Sequence, residues 1–332
     1  LSAGQKQRLV LAVAVAGNPQ VLFCDEPTAL QDEEQTGWVL ARLQQWREQA
    51  GRTLVTATCD RREVERADRL LVLKDGRLVL QGPRQELINH PLVEDLLGPL
   101  VGVGDGKPPA SSYSSTSDPV LSLEDVGCSF GGSARGFSGV DLELDPGQRV
   151  GITGPNGCGK STLLAVCVGA RKPDQGHVAL AGHGLFQGRH RDLDHGQALL
   201  APQFPEYIFT RSSVAEEVAL DPALTGLDVG DLLEEMGLPA DCRQRNPHSL
   251  SSGQKRRLAL GLVLFSRRPL LLLDEPTAAL DRQGKLLVAR LLDRVPADTT
   301  LVVASHDRDF LRLIGCRCLE LSGKGGLTPF GE

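Results

Sequence analysis

No apolar run in this 332-residue chain approaches the roughly 20 residues that a membrane-spanning helix needs. Stretches such as Leu270 to Leu273 are far shorter. If the protein serves transport, another chain must supply the pore. No segment has the charged, apolar and small-residue order of a secretory signal peptide. The eight cysteines include no CxxC pair, and the closest two, Cys316 and Cys318, are two apart. A disulfide scaffold is therefore not suggested, and a reducing, cytosolic compartment is expected. There is no basic excess either. Lys and Arg number 36 against 42 Asp and Glu, for a net charge of -6, which argues against nucleic acid as the main partner. His177, His183, His190 and His195 fall close together but lack the spacing of a metal site, and read as a solvated loop.

What is present is ordinary globular composition, 41% hydrophobic and 23% charged, with length for one and a half to two domains. The chain repeats itself. Leu1-Ser2-Ala3-Gly4-Gln5-Lys6-Gln7-Arg8 matches Leu250-Ser251-Ser252-Gly253-Gln254-Lys255-Arg256-Arg257, and Asp25-Glu26-Pro27-Thr28 matches Asp274-Glu275-Pro276-Thr277. Both matches carry one offset, 249. Between the copies, Gly102 to Asp118 is rich in Gly, Pro and Ser and reads as a flexible linker. The expected division is residues 1–100, the back half of a first domain; 101–118, the linker; and 119–332, a complete second domain. The sequence opens inside a motif and without Met, so it is expected to be a fragment.

The second copy alternates short apolar strands (Val150 to Thr153, Leu270 to Leu273, Thr300 to Ser305) with helical stretches (Ser161 to Gly169, Leu258 to Leu264). This is the pattern of a parallel sheet with helices on its faces. Trp38 and Trp46, eight apart on a predicted helix, read as packing residues, and Arg61, Arg62 and Arg66 as a solvated face.

Three motifs carry chemistry. Gly154-Pro155-Asn156-Gly157-Cys158-Gly159-Lys160-Ser161 fits GxxxxGK(S/T), in which glycines let backbone N–H groups close around phosphates at a helix N-terminus. Lys160 would reach the terminal phosphates and the Ser161 hydroxyl would bind Mg²⁺. Leu270 to Leu273 is a buried strand ending in Asp274, suited to hold Mg²⁺, and Glu275, placed to polarise an attacking water. Alone, that acid pair could equally open a surface loop. Ser251 and Gly253 precede an apolar helix, an arrangement that binds anions but is also an ordinary helix cap.

In this order the motifs resemble the ATP-binding-cassette (ABC) ATPases over nearly the whole chain. The resemblance implies an α/β P-loop NTPase fold of the ABC type. Its parallel-sheet core would carry a helical signature subdomain and an antiparallel β subdomain. It also implies ATP and Mg²⁺ as ligands. Phe130 takes the adenine-stacking position, Gln203 the Q-loop, Asp281 the D-loop and His306 the switch. The nucleotide-binding set runs from Gly154 to Thr162, and Ser161, Gln203 and Asp274 hold the metal. Lys160, Gln203, Glu275 and His306 form the catalytic set.

In such proteins two domains pair head to tail, with each ATP between the P-loop of one and the signature of the other. Lys160, Ser161, Gln203, Asp274, Glu275 and His306 would therefore pair with the first copy's signature, Ser2, Gly4 and Gln5. Glu26 would pair with Ser251, Gly253 and Gln254. That second site is expected to be impaired, because Ala304-Ser305-His306-Asp307 matches Ala57-Thr58-Cys59-Asp60 and a thiol is a weak donor. Leu30 and Gln31 also disturb the first D-loop, while Asp32 keeps its place.

Gln203-Phe204-Pro205-Glu206 followed by Val214-Ala215-Glu216-Glu217-Val218 resembles the ATPases of energy-coupling-factor importers, which take up vitamins or cobalt and nickel. Ile208 departs from their usual Gln. That likeness implies a peripheral place on the cytoplasmic face of the cell membrane, bound to integral coupling or permease subunits. A tandem sugar importer ATPase, or a soluble cassette protein acting on ribosomes or DNA, are the alternatives.

Overall fold

The computed structural model describes residues 3–29, 31–49, 51–74, 76–100, 118–130, 133–186, 196–204, 207–278, 280–322 and 326–330. The chain divides into two units, one of Leu1–Leu100 with Ala278–Lys285, the other of Val101–Thr277 with Leu286–Glu332.

The first unit runs α1 (Ala3–Ala16), β1 (Val21–Asp25), α2 (Glu33–Arg47), β2 (Thr53–Ala57), α3 (Arg61–Val64), β3 (Arg69–Lys74), β4 (Arg77–Pro83), α4 (Arg84–Leu87) and α5 (Pro91–Leu97). β1 and β2 are parallel, and β3 and β4 form an antiparallel hairpin. Asp32 caps α2 by accepting from the Gln35 N–H at 2.8 Å. That cap, Glu33 and Glu34 in the first turn and Arg47 in the last suit the helix dipole. The core is small: Leu22, Val39, Leu43 and Trp46.

The second unit begins with β5 (Leu121–Phe130), β6 (Ser133–Leu144), β7 (Arg149–Thr153), α6 (Lys160–Cys167), β8 (Gln175–Leu180), β9 (His183–Gly184) and β10 (Ala198–Ala201). It continues with α7 (Val214–Val218), α8 (Val229–Glu235), α9 (Ser252–Leu264), β11 (Leu270–Asp274), α10 (Arg282–Leu292, whose first turn counts with the first unit), β12 (Thr300–Ala304), α11 (Arg308–Leu313), β13 (Arg317–Leu321) and β14 (Leu327–Pro329). Its main sheet has the order β10-β11-β12-β7-β13-β14, parallel except for β14. An antiparallel sheet, β6-β5-β8-β9, shares one apolar core with it. A separate core, including Phe209, Leu233, Met236 and Leu258, holds the helices between β10 and β11. This is the expected α/β arrangement, a parallel-sheet core with an antiparallel β part and a helical part.

The two strand pairs are built alike and buried differently. Asp25 faces Ala57 in β1–β2, and Asp274 faces Ala304 in β11–β12. All ten residues of β11 and β12 are buried, because α6 packs across them. β1 and β2 instead alternate exposed residues with half-buried ones, only Leu22 being buried, and Phe23 is 75% exposed. Their apolar residues fit a strand covered on both faces, but only one face is packed among the described residues.

One acid in the first unit is out of place energetically. Glu63 is 7% exposed and accepts a hydrogen bond from the Thr28 hydroxyl. Burial, with the nearby Asp60 and Glu26 carboxylates, pushes its pKa up to about 7. A carboxyl whose folded pKa is raised binds more protons in the native than in the unfolded state. The stability it contributes is full below about pH 4.5 and lost as pH rises through about 7. Raising the pH from 5 to 7.5 is therefore expected to weaken the first unit by up to roughly 3 kcal/mol through this group, and Glu63→Gln should flatten that slope. Urea denaturation followed by tryptophan fluorescence reads it directly, since both tryptophans, Trp38 and Trp46, lie in the first unit. An unchanged slope in Glu63→Gln would refute it.

Candidate nucleotide site

The loop between β7 and α6 reverses the chain through glycines. Gly154 has φ 143° and Gly159 has φ 114°, conformations a side chain rarely adopts. A Cβ on Gly154 would also sit 2.6 Å from the Leu321 carbonyl. α6 starts at Lys160 with no side-chain cap, so its first N–H groups have no intrahelical partner. Lys160 is 7% exposed, and its Nζ donates to the carbonyls of Gly154 at 2.8 Å and Pro155 at 3.4 Å. Cys158 is a buried free thiol, its pKa raised by burial.

β11 delivers Asp274 beside this loop, where it hydrogen-bonds Ser161. Burial pushes Asp274 up to about 6, opposed by the Ser161 bond and raised further by Glu275. Glu275 is also 7% exposed and lies in the left-handed region, φ 48°, unusual for a residue with a Cβ. Its N–H donates to the Ala304 carbonyl at 2.8 Å. His306 Nε2 lies 3.0 Å from Glu275 Oε1, although Oε1 has no aligned hydrogen-bond partner. The Ser305 hydroxyl and the His306 N–H each stand 3.4 Å from Oε2. A cationic loop, a buried Asp274 beside the exposed Ser161 and an unsatisfied buried Glu275 oxygen form a donor set that fits a Mg-nucleotide.

The first unit repeats half of this. Glu26 has φ 45°, and its N–H donates to the Ala57 carbonyl at 2.8 Å. The Cys59 N–H donates to Glu26 Oε1 at 2.9 Å, in the place His306 takes beside Glu275. Surrounding protein and the Glu26 charge push the Cys59 thiol up to about 12, so it stays neutral.

The signature residues are placed as caps. Ser251 Oγ accepts from the Gln254 N–H at 3.3 Å and Gln254 Oε1 accepts from the Ser251 N–H at 3.0 Å, a reciprocal box on α9. Asp281 accepts from the Gly284 N–H at 2.7 Å, as Asp32 does from Gln35. Gly4 is buried at the start of α1, and its carbonyl accepts from Gln31 Nε2 at 3.0 Å. Gln5 lies on the exposed side of that turn. Ser2, Leu30, Ala279, Pro205, Glu206 and the side chain of Phe130 lie outside the described residues.

Sequence reasoning passed over Arg256. Its Nη1 donates to the Glu275 carbonyl at 2.5 Å and its Nη2 to the Gln203 carbonyl at 3.2 Å. The matching residue of the first copy, Gln7, donates to the Glu26 carbonyl at 2.7 Å. The signal was available: a side-chain donor recurs two residues after the signature glutamine in both repeats.

The sequence model of the ABC transporter family matches residues 1–29 and 137–278, just over half of the chain. The chain belongs to the ABC transporter ATP-binding family. Along its length it is 29% identical to a peptidoglycan transport ATP-binding protein, YejF, of Agrobacterium fabrum, covering 92% of this chain and 60% of that one. CbiO1 of Clostridium perfringens, part of the ABC transporter complex CbiONQ, is 26% identical, with a TM-score of 0.53 over 64% of this chain and 87% of that one. The archaeal ribosome recycling factor aABCE1, solved with the stalk protein aP1, matches with a TM-score of 0.65. That match covers 99% of this chain and 64% of that one at 22% identity, a likeness of fold alone. The cassette chain thus spans less than two thirds of curated relatives such as YejF.

The backbone of this cassette's loop can be tested without ligand. Gly154→Ala meets both left-handed strain and the Leu321 carbonyl, whereas Gly157→Ala, at φ 81°, meets no atom within 4 Å. Strain of this kind costs on the order of 1–3 kcal/mol. Gly154→Ala is expected to lower the urea midpoint of the second unit more than Gly157→Ala, read by circular dichroism. The reverse order would contradict the described loop.

Proposed function

We propose that this chain is the ATP-hydrolysing subunit of a membrane transporter and that its working site is built on the second copy. The observation that carries this is the convergence of Lys160, Ser161, Asp274, Glu275 and His306 at the ends of β7, β11 and β12. Lys160 and the N–H groups of the Gly154–Thr162 turn bind the phosphates. Ser161, Asp274 and Gln203 would hold Mg²⁺, which supplies charge neutralisation for the phosphates. Glu275 orients the attacking water and draws on its proton, while His306 stands beside Glu275 as the donor toward the terminal phosphate. Phe130 would stack on the base. In the working assembly, Ser2, Gly4 and Gln5 of the first copy complete this site by the pairing usual among cassettes. Ser251, Gly253 and Gln254 complete the Glu26 site.

For the subtype we infer an energy-coupling-factor importer of vitamins or of cobalt and nickel, acting from the cytoplasmic membrane face. The likeness to CbiO1 supports it, as does the segment from Gln203 to Val218. There Tyr207 is 74% exposed against Phe204, with ring centroids 5.7 Å apart. Buried Glu217 accepts from the Thr210 and Arg211 N–H groups, fixing the turn that precedes α7. No helix among the described residues is long and apolar enough to cross a membrane. Crosslinks from residues 207–218 in the full-length protein should therefore map to an integral membrane protein. Crosslinks to ribosomal proteins would replace this reading with the ribosome-acting one.

The two sites are expected to be unequal. Loss of one preorganised donor around a developing charge costs on the order of 2.7–4 kcal/mol, or roughly 10²–10³ in rate, and Cys59 offers a neutral thiol where His306 offers an imidazole. In the full-length protein, Glu275→Gln should abolish nearly all steady-state ATP turnover, and Glu26→Gln should reduce it modestly. Gly4→Asp should follow Glu275→Gln, and Gly253→Asp should be milder. Lys160→Ala should lose most Mg-ATP affinity. Equal losses from the two glutamate variants would show that both sites work.

A further inference from the structure

Glu275 and Glu26 share a backbone state that does not hold itself. Their φ angles are 48° and 45°, and a residue with a Cβ relaxes from that region unless its surroundings over-determine it. On the N-terminal side the restraint is the sheet: each N–H donates 2.8 Å to a carbonyl of the neighbouring strand, Ala304 or Ala57. On the C-terminal side the restraint comes from a side chain. Arg256 Nη1 donates to the Glu275 carbonyl at 2.5 Å, and Gln7 Nε2 to the Glu26 carbonyl at 2.7 Å. The two donors stand at the same place in the repeat, on α9 and α1, yet share neither charge nor shape. What they share is an N–H aimed at the carbonyl of the left-handed glutamate. That the contact persists across an Arg-to-Gln difference argues that the geometry, rather than the residue type, is what matters.

Arg256 does more than Gln7. Its planar fork also reaches the Gln203 carbonyl at 3.2 Å, a second contact its rigid spread of donors makes possible. Through one guanidinium, the helix that follows the signature is tied both to the Q-loop backbone and to the peptide that aims Glu275. In the first copy, Gln31 takes up the remaining capacity. Its Nε2 donates to Gln7 Oε1 at 3.0 Å and to the Gly4 carbonyl at 3.0 Å, so that network closes within its own signature and D-loop.

We propose that Arg256 is a positioning residue for ATP hydrolysis. It holds the Glu275 peptide in its left-handed conformation and makes that setting depend on where Gln203 stands. The proposal rests on the reading of Glu275 as the residue that orients the attacking water. Arg256 touches neither phosphate nor water in this role. Its loss should therefore act on kcat more than on nucleotide binding. A misaimed reacting group costs up to about 10²-fold in rate.

The test uses the full-length protein with four variants: Arg256→Ala, Arg256→Gln, Arg256→Lys and Glu275→Gln. Steady-state kcat and KM for ATP, Mg-ATP affinity by a fluorescent analogue, and the melting temperature are measured for each. Arg256→Ala should lower kcat by about ten- to a hundred-fold, with KM, affinity and melting temperature near wild type. Arg256→Gln should recover much of the loss, because Gln7 makes the same contact in the first copy. Arg256→Lys, with a point charge in place of the fork, should recover less. Millimolar guanidinium added to Arg256→Ala should raise kcat. Wild-type kcat in Arg256→Ala would overturn the proposal. So would parallel losses of kcat, affinity and melting temperature in the Ala and Gln variants, which would mark a purely structural residue. Wild-type turnover in Glu275→Gln would instead overturn the reading of Glu275, and the proposal with it.

Discussion

The hydrogen bond from the Glu275 N–H to the Ala304 carbonyl is the joint on which the candidate nucleotide site turns. It extends the pairing of β11 and β12 by one residue beyond Asp274 and then forces the chain out of the sheet through a left-handed residue. Asp274, still in the strand, hydrogen-bonds Ser161 at the start of α6. Glu275, already past the bend, comes within 3.0 Å of His306, which follows β12. Two adjacent carboxylates thus acquire different neighbours, one a hydroxyl beside the glycine turn before α6 and one an imidazole. Without the bend, successive side chains of a strand point to opposite faces of the sheet, and the pair could not serve one site.

The same joint in the first copy explains why the repeats are alike in frame and unlike in chemistry. The Glu26 N–H to Ala57 bond has the same 2.8 Å length, and the residues that follow β2 and β12 fold alike. Thr58 and Ser305 each accept from the N–H two residues on, and Asp60 and Asp307 each cap the next helix. All of these bonds need only short oxygen-bearing side chains. The position between them carries Cys59 in one copy and His306 in the other, and nothing in the turn's own bonding depends on that side chain. Substitution there leaves the frame standing and changes only what faces Glu26 or Glu275.

Much of this was legible in the sequence, for identifiable reasons. The P-loop glycines, the apolar strands and the repeated Asp-Glu pair are set by local rules: backbone conformations only glycine accepts readily, burial, and the acids at a strand's end. What depended on tertiary contact was not legible. Trp38 and Trp46 read alike as packing residues, but Trp46 is buried while Trp38 is 51% exposed with Arg42 stacked on it. Ser251 and Gly253 read as anion-binding residues or as a helix cap, and the structure shows a closed capping box between Ser251 and Gln254. Arg256 went unremarked because a basic residue on a helix ordinarily reads as solvated. Only the folded positions of Gln203 and Glu275 give its fork two carbonyls to meet.

Glu63 shows how far the two matching segments differ while keeping one frame. By the 247-residue offset of the aligned strands β2 and β12, it occupies the place of Phe310, which is fully buried in the second unit. Phe310 fills its site with apolar surface and asks nothing of its neighbours. Glu63 occupies the corresponding space with a carboxyl that has the Thr28 hydroxyl on one oxygen and no hydrogen-bond partner on the other. Thr28 belongs to the same loop as Glu26, so the acid ties the helix after the Cys59 turn to the loop after β1. A buried carboxyl of this kind is stable only when protonated or hydrogen-bonded, and Glu26 and Asp60 nearby favour the protonated form. The first copy thus replaces a packing contact with a polar one whose strength depends on pH, at a position where the second copy is insensitive to it.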